Sequence, residues 1–262
     1  YAAAPCRRSR LGLAVPAMMS LALIALAGCA APAPTTHGET RSAPMTPGQL
    51  AQSDVNRVAT LGMRDNLDSL LLLADKLYKR NPSEWRKTGA ISREAALSQI
   101  RSAIDNRTPW PELQGKRDIA ALSLALSPEF SGDRVAAFIT ASADMLITAH
   151  GGKTTLYLIH GLDAQYLHNA ARNMEIAAWV LASRRTASNQ PLLLADDISG
   201  AERNLSFERE FGKIIGRLDL LAETVNEKYR RAVIAYAQGL VGGPFFQLLP
   251  VNALPTQFLS TQ

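Results

Sequence analysis

Three of the four histidines, His150, His160 and His168, fall within twenty residues of one another. Imidazole is both a common metal ligand and the usual proton carrier near neutral pH. Two ligands on one helix need a separation of three or four residues to point the same way. These stand ten and eight apart, so only tertiary folding would bring them together, with Asp163 as a further oxygen donor. Polar surface or capping roles are the plainer expectation, and neither a metal nor a cofactor is expected.

Asp144 is the next group of interest. It is the only charge in the fifteen residues from Val135 to Ala149. An unpaired carboxylate in such surroundings costs several kcal/mol, so it needs a partner, with Arg172 or Lys153 the nearest choices. A structural ion pair is expected there, a functional cleft being the alternative. His168, Arg172, Glu175 and Trp179 form a second constellation at spacings of four, three and four. On one helix these make a stripe that suits recognition, or equally a solvated face with a weak Arg172–Glu175 pair.

Two local strings resemble known motifs. Gly152-Lys153-Thr154 matches the tail of a phosphate-binding P-loop, but Ile147 stands where its first glycine belongs, and an apolar helix precedes it in place of a strand. Ile159-His160-Gly161 resembles the oxyanion-loop region of α/β hydrolases, yet the chain has no Gly-x-Ser-x-Gly elbow to supply a nucleophile. A turn opening a helix at Asp163 is the simpler expectation.

The elements that position these residues read as helices. With 47% hydrophobic, 19% charged and 6% aromatic residues, the chain has a globular composition rich in helix-forming Ala and Leu. Its net charge of +5 is local: Arg7, Arg8 and Arg10 precede Cys29, leaving 25 basic against 23 acidic residues beyond, a net of +2. No basic footprint for nucleic acid remains.

Those arginines lead into an apolar run from Leu11 to Ala27, the arrangement of an export signal. Leu26-Ala27-Gly28-Cys29 then resembles the lipobox of bacterial lipoproteins. The resemblance covers about thirty residues. It implies cleavage after residue 28, a diacylglycerol thioether on Cys29 and an acyl chain such as palmitate on the new amino terminus. Ala30 at the sorting position implies delivery to the outer membrane, facing the periplasm, in a Gram-negative cell. Loss of Cys6 with the leader would leave no internal disulfide. Residues 29–48, with Pro32, Pro34, Pro44 and Pro47, read as a flexible lipid-anchored tether.

Residues 49–262 are expected to form an all-α domain, an irregular multi-helix bundle. A 3.6-residue period over 55–80 places Val58, Leu61, Leu67, Leu70, Leu71, Ala74 and Leu77 inward. Asn81-Pro82-Ser83-Glu84 reads as a new helix start. Further helices are expected over 92–106, 118–126, 134–150 and 163–185, and the most regular over 207–238, with Phe207, Phe211, Ile214, Leu218, Leu221, Val225, Tyr229, Ala232 and Tyr236 inward. Residues 154–159 are the one strand-like run, a minor strand at most. The uncharged segment 232–251 is long enough to span a membrane, but Gly239, Gly242, Gly243 and Pro244 predict a helix end there and packing on the body.

The expected function is a non-catalytic envelope protein, bound to membrane by its anchor, whose body binds a protein partner or supports an assembly. Two other readings stay open. One is an enzyme acting on peptidoglycan or lipid with Asp144 and His150 or His168 as acid and base; the other is membrane insertion through 232–251.

Overall fold

The computed structural model describes residues 46–186, 188–195 and 205–246, with side chains to Gln238 in the last stretch. The chain divides into Tyr1–Pro47 and a body of Gly48–Gln262, and the body is described below. The leader, Cys29 and the tether as far as residue 45 lie outside the described residues.

A 3-10 turn at Pro47–Ala51 leads into α1 (Asp54–Arg80), capped by the Ser53 hydroxyl, which accepts from the Asn56 amide. Asn81 ends α1, and Pro82 at the first helical position starts α2 (Pro82–Arg86). The Asn81 side chain does not cap α2. It clamps a distant loop segment instead, donating to the Leu194 carbonyl at 3.0 Å and accepting from the Leu194 amide at 2.8 Å. Ser92 and Asn106 bracket α3 (Arg93–Asp105), as their types predict. A 3-10 turn at Pro111–Leu113 precedes α4 (Asp118–Ala125), then α5 (Arg134–Ala149) and α6 (Ala164–Ser183), the last capped by Asp163. Finally α7 runs from Ser206 to Phe246. Among the described residues the body is all-α, without a named strand; only an isolated bridge joins Arg185 to Pro191.

The core is organised around α5, most of whose residues are buried. A helix apolar on all sides has to be enclosed, and α1, α2, α3, α4 and α6 enclose it. Phe138 of α5 meets Phe211 of α7 edge-on, ring centres 6.2 Å apart. The α5 N-terminus is held by three carboxylates, of which Asp133 and Glu84 are buried. Asp133 accepts from the Ala136 amide, Glu84 from the Arg134 amide at 2.8 Å, and Glu112 from the Asp133 amide at 2.9 Å. Gly151 and Gly152, both at positive φ, end α5.

Three expectations need correction. In α1 the expected Leu70, Ala74 and Leu77 are buried and Leu67 and Leu71 pack against the core, but Val58 is 53% exposed, and Asn56, Ala59, Met63, Asn66 and Leu73 are buried as well. Partners on two sides, α5 and α7, widen and set this face. Residues 154–159 form a loop in which Leu156 is buried and Ile159 is 89% exposed; among the described residues there is no strand for them to pair with.

The third concerns α7, which does not end at its glycines. It continues through Gly239, Gly242, Gly243 and Pro244 to Phe246. A glycine weakens a helix by only about 1 kcal/mol, and a long, well-anchored helix propagates through several. Nor do residues 228–238 pack in the core, since every one of them is exposed, Tyr229, Ala232 and Tyr236 included; residues 247–251 of the uncharged segment lie outside the described residues. The reason is register. α7 lies antiparallel to both α1 and α6: Lys76 reaches the Ser206 carbonyl, Arg217 reaches Asn66, Arg172 pairs with Asp219, and Tyr229 donates to the Leu162 carbonyl. Both neighbours therefore begin opposite about residue 228, and α7 continues past both starts for about 27 Å at 1.5 Å per residue.

Candidate functional site

The antiparallel pairing of α6 and α7 leaves an open cleft of about 860 Å³ at the start of α6. Asp163 stands at its rim, spending one carboxylate oxygen on the amides of Gln165 and Tyr166. One turn further on, α6 presents His168 and Arg172, four residues apart and so on one face. α7 contributes Asp219, Glu223, Asn226 and Tyr229, again at helical spacings of three and four.

Arg172 ties the two walls together. Its Nη2 lies 2.6 Å from Asp219 Oδ2 and 3.1 Å from Glu175 Oε1, while Nε has no acceptor among the described residues. His168 Nδ1 stands 3.9 Å from the other Asp219 oxygen, so a protonated imidazole would add a second cation to this carboxylate. The arrangement presents both signs of charge with hydrogen-bonding amides between them. Among the described residues its polar lining is an imidazole, a guanidinium, three carboxylates, two amides and a phenol. Such a surface recognises polar groups through paired charges and hydrogen bonds.

Of the expected stripe, the structure thus brings His168 and Arg172 into the cleft and sets Glu175 against Arg172. Trp179 stays outside, 68% exposed. Asp219, Glu223 and Asn226 were not legible as site residues. Their spacing of four and three along the polar side of α7 was visible, but nothing in it pointed to Arg172, 47 residues earlier.

Asp144 pairs with neither Arg172 nor Lys153. Arg117 closes on it from the start of α4, Nε donating at 2.7 Å and Nη2 also in contact, and the Asp118 amide donates at 3.1 Å. Burial works against ionisation here, but the Arg117 guanidinium and the Asp118 amide outweigh it and hold the carboxyl below the usual range. The pair lines a separate cavity of about 40 Å³ with Ile104, Trp110, Leu113 and Ile147.

The histidines do not converge. His150 is sealed at 1% exposure, with Nδ1 2.8 Å from the Leu146 carbonyl, and burial lowers its pKa. His160 Nδ1 accepts from the Tyr157 amide in the loop before α6. No cluster of His, Cys, Asp or Glu suited to a metal occurs among the described residues. Lys153 turns back to the Gly151 carbonyl at 3.2 Å in a loop with no preceding strand, unlike a P-loop lysine. The acid–base set of Asp144 with His150 or His168 is not assembled, because each lies in a different place. Comparison of the chain with protein family models, curated proteins and solved structures found no match.

Proposed function

We propose that the chain is a lipid-anchored cell-envelope protein whose helical body recognises a protein partner through the α6–α7 cleft, on the periplasmic side of an outer membrane. The observation that carries the recognition role is the cleft itself. Two helices present His168, Arg172, Asp219, Glu223 and Asn226 to one open space, fixed across it by the 2.6 Å Arg172–Asp219 pair. Preorganised charges of both signs favour a partner with the complementary pattern and reject others, which is specificity more than raw affinity. The unsatisfied Arg172 Nε supports the same reading, as a donor awaiting an acceptor. The anchor rests on the leader and on Leu26-Ala27-Gly28-Cys29; two or three acyl chains suffice for stable attachment.

Two measurements test it. The mass of the N-terminal peptide from membrane-purified protein should be that of diacylglyceryl-modified Cys29, and Cys29→Ala should leave the chain unprocessed. For the cleft, a photocrosslinker replacing Glu223 in intact cells should trap one dominant envelope protein, and Asp219→Arg should abolish that adduct while the fold persists. An adduct pattern unchanged by Asp219→Arg would remove the cleft from the proposal.

A further inference from the structure

The end of the body where the chain enters carries a group of bare apolar side chains. The Leu158 amide donates to the Ala51 carbonyl at 2.7 Å, Gln52 Nε2 donates to the Leu156 carbonyl at 2.7 Å, and Asn56 Nδ2 binds the carbonyls of Tyr157 and His160. These bonds hold the 157–160 loop as a fixed tip beside the entry turn. On that tip and turn Ile159 is 89%, Leu158 61% and Leu50 85% exposed. Tyr229 joins the same end through its hydrogen bond to the Leu162 carbonyl, and from there α7 projects past the starts of α1 and α6.

The chemistry along that projection changes abruptly. Lys228, Arg230 and Arg231 sit at the level of the body's end, with Glu227 the only acid among them, shared by both arginines. Then no charge follows from Ala232 to Phe246. Residues 232–237, Ala-Val-Ile-Ala-Tyr-Ala, are exposed and uncharged on every side of the helix. A helix that seats in a protein groove keeps a polar face toward water. One without a polar face, behind a collar of cations and with tyrosines at its base, has the layout of a helix end held in lipid.

We infer that this end of the body docks on a lipid surface, with the 157–160 tip and the uncharged end of α7 in the interfacial layer and Lys228, Arg230 and Arg231 among anionic headgroups. The direction, though not the apolar contact, rests on the lipid-anchor reading: a tether ending at residue 48 delivers this end of the body first. No helix among the described residues is long and apolar enough to cross a membrane, so the seat is interfacial. Ile91, 95% exposed, marks the opposite end, because Arg93 beside it pairs with Asp75, about 28 Å along α1 from Asn56.

The test uses the full chain purified from membranes and reconstituted in vesicles of phosphatidylethanolamine and phosphatidylglycerol. A photoreactive residue replaces Ile159, Val233 or, as the far-end control, Ile91; all three sites are exposed, so the fold is kept. Lipid adducts at Ile159 and Val233 several-fold above those at Ile91 are expected. Equal yields at all three sites, or protein adducts in place of lipid ones at Ile159 and Val233, would overturn the inference. The Cys29 peptide is weighed in the same samples. Unmodified Cys29 with lipid adducts at Ile159 defeats the anchor alone; modified Cys29 with a silent Ile159 defeats the docking alone.

Discussion

Tyr78 and Asp133, 55 residues apart and both fully buried, share a hydrogen bond of 2.6 Å from the phenol to Asp133 Oδ2. Burial drives the Tyr78 pKa upward, with Asp133 adding to it, so the phenol remains a donor at any physiological pH. Tyr78→Phe strands a buried carboxylate oxygen and should lower stability by about 1–3 kcal/mol in urea titration. Burial also raises the Asp133 pKa, against the pull of Tyr78 and the Ala136 amide. A raised folded value means that this stabilising contribution is full below the unfolded value near 3.8 and fades as pH climbs through the folded one. Asp133→Asn, which keeps the cap, should remove that fade from the stability–pH curve.

His150 works in the opposite direction. Burial lowers its pKa below 6.5, and its Nε2 has no partner among the described residues. The unfolded chain takes up a proton as pH falls past 6.5 while the folded one resists. Stability present above that pH should therefore drop on acidification, with a slope approaching 1.4 kcal/mol per unit. His150→Asn retains a donor toward the Leu146 carbonyl and lacks the titration, so its thermal unfolding should change less with pH below 6.5.

Two glycine substitutions should have opposite signs. A Cβ on Gly132 would lie 2.5 Å from Glu112 Cδ, and that carboxylate is held by the Asp133 amide and the Trp110 indole. Gly132→Ala should destabilise by about 1–3 kcal/mol. Around Gly62, inside α1, nothing lies within 4 Å of the added methyl. Gly62→Ala should stabilise by about 0.5–1 kcal/mol, and differential scanning calorimetry of the pair checks both.

Arg217 fastens α7 to α1 through one nitrogen, Nη1, which reaches the Asp65 carbonyl, Asn66 Oδ1 and Ser69 Oγ at 3.1–3.2 Å. Asn66 is 1% exposed, so its amide loses a partner with no water to replace it. Arg217→Ala should cost about 1–3 kcal/mol in urea titration, whereas Arg172→Ala, which breaks a half-exposed pair, should cost under about 1 kcal/mol.

What could be read from the chain followed local chemistry. Ser92 and Asp163 mark helix starts because a short polar side chain satisfies amides within three residues, and Gly151-Gly152 stop α5 because they enter positive φ freely. The His168–Arg172 spacing placed both on one face for the same reason. What escaped was set by distance along the chain. Val58 and Met63 are equally apolar, and only the placement of α5 and α7 decides that Met63 is buried. Arg117 lies 27 residues before Asp144, and Asp219 lies 47 after Arg172; no periodicity encodes either pairing. The overrun of α7 depends on where two other helices begin.

Arg134 closes its guanidinium on three backbone carbonyls, those of Ala125, Ser127 and Phe130, at 2.6–2.7 Å. None of these is more than nine residues away. The turn between α4 and α5 can therefore organise itself before any distant part of the chain arrives, since closing so short a loop sacrifices little entropy. That makes the α4–α5 hairpin the natural nucleus on which the slower, long-range docking of α1 and α7 condenses. Truncating Arg134 should accordingly retard refolding more than it hastens unfolding.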